Sequence, residues 1–314
     1  MNELTKNKIT NALNTYFETS SESQNKFSKR NDINVSIVSA IRNGTNTIGK
    51  SIIADKWYNK IAQAIDYTSK SYWDIINTSQ SAELLNSFEE SRQKGVNRTV
   101  IGDTGIGKTE IAKRYKNKYP DNTYMITVGM HLSPKDFLMQ LAYAMNAKFT
   151  PGSNHRTLLS IVNKIQNLYL SGNAPLIIID ETENLKLQVV GYIKALYDYL
   201  DTVCPVVLIG TDQLIDNIER WNVRNKQGIP QFWRRFRVGV RHLPTVKNKD
   251  ITEMLEAQGV TDQALVNYLI ENNYNNYGLL NNAIVYAKKE AERIGSALTL
   301  DLFLTVHDLK RRKA

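Results

Sequence analysis

The sequence has a single cysteine, no apolar run of membrane length and no apolar core near its start. One thiol, Cys204, excludes an internal disulfide framework. It stands in the apolar stretch 203–208, where a small buried residue is expected. The longest apolar runs, such as 175–179, are of strand length, against the roughly 18 residues that a membrane span needs. The first ten residues are polar with scattered lysines and lack the apolar segment of a signal peptide. These shortages together predict a cytoplasmic protein with no membrane partner. Acidic residues are missing from a third place. Residues 231–249 contain Arg234, Arg235, Arg237, Arg241, Lys247 and Lys249 but no Asp or Glu.

What is present is enough for a sizeable core. The 314 residues are 42% hydrophobic and suit two or three domains. Lys and Arg number 40 against 31 Asp and Glu, a net charge of +9, which suggests a polyanionic partner. The basic stretch 231–249 and the tail Lys310, Arg311, Arg312, Lys313 concentrate that charge.

Three regions differ in pattern. Residues 1–65 read as short helices, 66–245 as a linker and then strands alternating with amphipathic helices, and 246–314 as helices without strands. In the first region, a helix over 24–30 is followed by a polar turn over 31–34 and a second helix from Val35 to Asn43. Ile33, Ile37 and Ile41 give the second helix an apolar face, and Gly44 can end it in the left-handed conformation. This pattern resembles a lambda-repressor-like helix-turn-helix, whose second helix enters the major groove. Ser36, Ser39, Arg42 and Asn43 are then candidate DNA contacts; a small bundle for protein contacts is the alternative. Residues 54–90, with Trp57, Tyr58, Ile61, Ile65 and Trp73, read as a joining segment whose aromatics pack.

The chemistry is concentrated in two motifs. A strand over 98–101 runs into Gly102, Asp103, Thr104, Gly105, Ile106, Gly107, Lys108 and Thr109, and a helix beginning with Glu110 follows. This is the phosphate-binding pattern G-x-x-x-x-G-K-[ST] in strand–loop–helix context. The glycines let backbone N–H groups close on phosphates, and the helix start adds partial positive charge. Lys108 is expected to reach the β- and γ-phosphates of ATP, and Thr109 to ligate Mg2+. Some 70 residues on, an apolar strand over 176–179 ends in Asp180 and Glu181. Asp180 is expected to hold the magnesium and Glu181 to orient and deprotonate the attacking water.

The order of these motifs resembles the Mu B-like transposition proteins of phages and mobile elements, a group of AAA+ ATPases. The resemblance rests on the repressor-like module, the loop 102–110, Tyr124-Met125-Ile126-Thr127, the 176–181 strand, Val207-Leu208-Ile209-Gly210 and Trp233-Arg234-Arg235-Phe236. It implies an α/β fold with an AAA+ P-loop NTPase core, in which a parallel sheet is flanked by helices. An N-terminal helix-turn-helix domain and a C-terminal helical lid complete the chain. It also implies Thr211 (or Asp212) as a polar sensor of the γ-phosphate, and Arg234 or Arg235 as an arginine reaching a neighbouring subunit's ATP. Lys135, Lys148 and Arg156 are implied as lining residues for DNA, although a plain solvated charge is the more ordinary reading of each. The implied function is ATP-dependent self-association into a filament on double-stranded DNA with little sequence preference. The filament delivers its target to a DDE transposase, and partner-stimulated hydrolysis disassembles it. A helicase-loader-type ATPase and a nucleotide-switched transcriptional regulator are the alternatives. One departure stands out. The lid segment Tyr277-Gly278-Leu279-Leu280-Asn281 has Asn281 where many AAA+ proteins have an arginine, and Asn281 cannot pair with a phosphate as arginine does, which predicts slow intrinsic turnover.

Overall fold

The computed structural model describes residues 3–20, 22–49, 51–65, 67 and 76–309. Trp73 and the basic tail 310–313 lie outside the described residues. The chain divides into two compact units, one of residues 1–71 with 114–121, the other of 72–113 with 122–314.

In the first unit, α1 (Glu3–Thr19), α2 (Gln24–Arg30), α3 (Val35–Arg42) and α4 (Asp55–Ala64) surround an apolar centre of Ile9, Leu13, Phe27, Ile33, Val38, Ile41 and Ile61. Side chains close the starts of α2 and α3. Ser23 accepts the Lys26 N–H, and Asn34 accepts the Ser36 N–H, so orphan amides at each first turn are satisfied. Gly44 takes a φ of 72° just past α3, as its position suggested. The buried face differs from the expected one. Ile33 precedes α3, so the helical repeat starts afresh at Val35, and Val38 and Ile41 become the buried pair while Ile37 is only half-buried. A two-stranded hairpin, β1 (Thr47–Ile48) and β2 (Ser51–Ile52), follows α3. Its strands are exposed and two residues long, too short to leave a periodic signal.

One carboxylate is buried in this unit. Glu22 is 4% exposed and its Oε2 accepts the Tyr16 hydroxyl at 2.8 Å and Arg30 Nη2 at 2.8 Å. Burial raises the Glu22 carboxyl above its usual range, with Arg30 opposing. Replacing Arg30 with Met leaves that carboxylate buried without its cation. The expected cost is about 2 kcal/mol, below the full buried-pair value because Arg30 is partly exposed. Amide exchange over 9–61 in the full-length protein checks this: faster exchange is expected there, with none across 176–210.

The second unit is built on a five-stranded parallel sheet. Its strands are β3 (Arg98–Ile101), β4 (Thr123–Thr127), β5 (Leu176–Asp180), β6 (Val206–Gly210) and β7 (Val240–His242), in the order β4-β5-β6-β3-β7. Strands β3, β5 and β6 are buried along their whole length, as expected of parallel strands covered on both faces. Helices α5 (Ser79–Lys94), α6 (Lys108–Lys118), α7 (Pro134–Ala144), α8 (Asn154–Leu170), α9 (Leu187–Leu200), α10 (Asp212–Val223) and α11 (Ile229–Arg237) connect them. The register brings Ile101 beside Gly210 and Thr127 beside Asp180, so the loops carrying function leave from one edge of the sheet. From residue 246 on, α12 (Asn248–Ala257), α13 (Gln263–Glu271), α14 (Tyr277–Ile294) and α15 (Leu300–Val306) pack around Leu255, Leu265, Leu269, Leu280, Ile284 and Phe303. No strand occurs there among the described residues.

Candidate nucleotide site

The loop 102–109 joins the carboxyl end of β3 to the first turn of α6. Gly105 and Gly107 have φ of 78° and 90°, the positive values the sequence pattern anticipated. Lys108 is 8% exposed, and its Nζ donates to Gly102 O at 2.7 Å and Asp103 O at 2.8 Å. Burial pulls its ammonium below the usual lysine range, against the opposing charges of Glu183, Asp180, Glu181 and Asp103. The lysine is thus folded back on its own loop and held by groups that a phosphate oxygen can replace.

Strand β6 pairs with both β3 and β5, so the 102–109 loop and the Asp180 strand end flank the end of β6. Thr109 Oγ1 donates to Asp180 Oδ2 at 2.6 Å. Asp180 has no exposure, and its Oδ1 is buried with no hydrogen-bond partner. A lone-pair-rich oxygen in that position fits a divalent cation. Among the described residues no cluster of three His, Cys, Asp or Glu forms a protein-only metal cage.

Glu181 follows in the left-handed region, φ 55° and ψ 40°, which costs a non-glycine residue free energy and is concentrated at functional sites. A short 3-10 turn, Thr182–Asn184, holds it there. Thr182 Oγ1 donates to Ile209 O at 2.8 Å, Asn184 Nδ2 to Val128 O at 3.1 Å, and Asn217 Nδ2 to Glu183 O at 3.1 Å. Those bonds anchor the turn to β6, to the end of β4 and to α10. Burial raises the Glu181 carboxyl, with Glu183 and Asp180 adding to the shift and Lys108 opposing it.

Glu183 is a third carboxylate of this site, and the sequence motif gave no sign of it. Its Oε2 is buried without a hydrogen-bond partner, against Gly210. Its charge acts on Lys108 ahead of those of Asp180 and Glu181. The signal available in sequence was Gly210 at the end of an otherwise branched apolar strand. Thr211 follows Gly210, half-buried, as the residue before α10. Asp212 is exposed and lies 3.7 Å from His242 Nδ1.

The structure separates the two arginines. On α11, Ile229, Phe232, Trp233 and Phe236 face the core. Arg235 pairs with Asp198 at 2.5 Å and lies 4.2 Å over the Tyr197 ring, which ties it to α9. Arg234 is exposed and has no ion pair or hydrogen bond among the described residues. Arg237 is exposed on the same helix and lines an open cleft with Asp212, Asp216, Trp233 and His242; sequence reasoning did not single it out.

The candidate DNA contacts are scattered. Lys135, Lys148 and Arg156 are exposed. Lys148 lies beside the start of α8, its N–H on Ser160 Oγ at 2.9 Å, so it is near Arg156. Lys135 lies in the first turn of α7. In the first unit Ser36 and Asn43 are exposed and Ser39 is half-buried. Arg42 is turned inward: its Nε donates to Asn14 Oδ1 at 3.3 Å, its Nη1 to Gln24 Oε1 at 3.1 Å, and its guanidinium lies 4.4 Å over the Phe17 ring. Its role in this structure is to fasten α3 to α1 and α2.

Residues 92–218 match the family model described as an AAA domain. The structure is similar to that of Cdc6p from Pyrobaculum aerophilum, with a TM-score of 0.50, 16% identity, and coverage of 69% of this chain and 62% of that one. The fold is that of an AAA+ P-loop NTPase. A lower similarity links it to the RuvB Holliday junction branch migration motor of Thermotoga maritima, with a TM-score of 0.45, 13% identity, and coverage of 74% and 69%. No curated protein sequence matches significantly. Both the 102–109 loop and the strand ending at Asp180 lie inside the matched residues, and residues from 246 onward lie outside them.

Gly210 is a position of this site with no room for a side chain. A Cβ there would fall 2.7 Å from Thr182 Oγ1 and 2.9 Å from Glu183 Oε2. Gly210→Ala is expected to cost about 2 kcal/mol through overpacking and to displace the turn that holds Glu181. Thermal unfolding reads the cost; an unchanged midpoint contradicts it.

Proposed function

We propose that this chain is an ATP-dependent DNA-binding ATPase that assembles on double-stranded DNA and delivers it to a transposase of the DDE class. The observation that supports hydrolysis most directly is the pair formed by Thr109 and the buried Asp180, with one carboxylate oxygen left open. Thr109 and Asp180 would hold magnesium there, and it would supply neutralisation of phosphate charge. Lys108 exchanges the Gly102 and Asp103 carbonyls for the β- and γ-phosphate oxygens. Glu181 accepts a proton from the attacking water. The water oxygen bonds to the γ-phosphorus as the bond to the bridging oxygen breaks, and ADP leaves with that electron pair. Thr211 donates to the γ-phosphate from the end of β6. Asn281 leaves the lid without an arginine at the phosphates, consistent with slow turnover until a partner intervenes.

Assembly is supported by Arg234. It is exposed, while Arg235 is occupied by Asp198 and Tyr197, so Arg234 is the arginine available to a neighbouring copy's nucleotide. DNA binding is supported by the exposed Ser36 and Asn43 on the helix-turn-helix and by the basic run 231–249. The order of motifs shared with Mu B-like proteins supports the transposition role over the regulator and helicase-loader alternatives.

Lys108→Ala is expected to abolish nucleotide binding and with it nucleotide-dependent DNA binding; nuclease footprinting on mixed-sequence DNA checks this. Long protection that requires ATP supports the filament, and protection of one palindrome indicates an operator-reading regulator instead. Glu181→Gln is expected to bind ATP, assemble and persist on DNA, with hydrolysis reduced at least a hundredfold. Arg234→Ala is expected to lower hydrolysis in the assembled state more than tenfold, whereas Arg235→Ala acts through α11 stability. Equal hydrolysis by wild type and Arg234→Ala contradicts the assignment.

A further inference from the structure

The first turn of α14 touches the phosphate-binding loop directly. Gly278 N–H donates to Gly105 O at 2.9 Å, and Asn276 Nδ2 donates to Thr104 O. The Asn276 Oδ1 also caps α14 by accepting the Leu279 N–H at 3.0 Å. Between these two residues, Tyr277 turns the other way. Its hydroxyl donates to Gln80 Oε1 at 3.0 Å, and the fully buried Gln80 donates from Nε2 to Thr245 O at 3.2 Å. Three consecutive residues therefore join the lid to the loop on one side and to the start of α5 and the segment after β7 on the other.

The close approach depends on two glycines. A Cβ on Gly105 would lie 2.1 Å from Asn276 Oδ1, and one on Gly278 would lie 3.1 Å from the same oxygen. The consequence concerns four successive loop carbonyls. Those of Gly102 and Asp103 accept Lys108, and those of Thr104 and Gly105 accept α14. When a phosphate takes Lys108 away, only the pair held by α14 keeps its donors. The orientation of the peptides at the crown of the loop, and so of the amides that face a phosphate, then rests on the lid. Asn281 lies one turn further along α14, and its side chain makes no hydrogen bond among the described residues.

We propose that Asn276 is a positioning residue for the phosphate-binding loop, and that its bond to the Thr104 carbonyl, rather than any contact of Asn281, couples the lid to bound nucleotide. This rests on the reading of residues 102–109 as an ATP site. The coupling acts on the loop that cradles the α- and β-phosphates, so it affects ADP and ATP alike; a lid residue reaching the γ-phosphate affects ATP alone.

Equilibrium titration of the full-length protein with fluorescent ATP and fluorescent ADP, alongside thermal unfolding, tests the proposal. Asn276→Asp keeps an acceptor for the Leu279 N–H but cannot donate to Thr104 O. It is expected to weaken both nucleotides about tenfold with an unchanged unfolding midpoint, the size of one lost hydrogen bond of about 1.4 kcal/mol. Asn276→Ser, which caps but is too short to reach Thr104 and adds no charge, is expected to weaken both as well, and decides the matter if the aspartate variant is unstable. Asn281→Ala is expected to stay within twofold of wild type. Wild-type affinity in both Asn276 variants, a loss confined to ATP, or an equal loss in Asn281→Ala overturns the proposal. Failure of the ATP-site reading is visible separately, as wild type that binds neither nucleotide or Lys108→Ala that binds both.

Discussion

A carboxylate with no access to water sits at the end of a strand that is otherwise apolar and wholly buried, and the neighbourhood is arranged around it. Asp180 closes the all-buried β5, where an ionised group is costly unless it is matched. One oxygen is matched by the Thr109 hydroxyl across the sheet edge. Lys108 supplies opposite charge nearby while bonding only its own loop. The other oxygen is buried without a hydrogen-bond partner. Two further carboxylates, Glu181 and Glu183, crowd the same end, and only Lys108 counters them.

The anchoring of that turn explains how a left-handed glutamate is tolerated. Thr182, Asn184 and Asn217 each spend a side chain on a backbone carbonyl, and together they reach three separate elements. The turn is therefore over-determined, and Glu181 has little freedom left. Strand order completes the effect: β6 stands between β3 and β5, so Thr211 leaves the sheet between the phosphate loop and the carboxylates.

What was legible in the sequence was local. The 102–109 loop and the 176–181 strand are contiguous strings whose residue types have few other uses, and the structure places them as expected. What was not legible depends on contacts distant in the chain. Nothing in Arg234-Arg235 distinguishes the two; Asp198 and Tyr197 do, from another helix. Arg42 resembled a DNA contact because short polar neighbours surround it, yet Asn14, Phe17 and Gln24 claim it. Ile37 was placed in a core face by counting from Ile33, a residue that precedes the helix. Glu183 and Asn276 were missed because their meaning lies in what they approach, Gly210 and Thr104. The composition of the lid declared helices but not which end of α14 meets the nucleotide loop.

The strand order also has a consequence for how the chain comes off a ribosome. The phosphate loop is synthesised early, but β3 pairs only with β6 and β7, and Arg98 finds its first partner at Val207. Until those strands emerge, β3 has two open edges and the loop has no platform. Non-local pairing of this kind closes slowly and exposes apolar strands in the meantime. A nascent chain halted before residue 206 therefore carries the complete 102–109 loop without either strand that flanks β3, and presents Arg98–Ile101 as an unpaired edge.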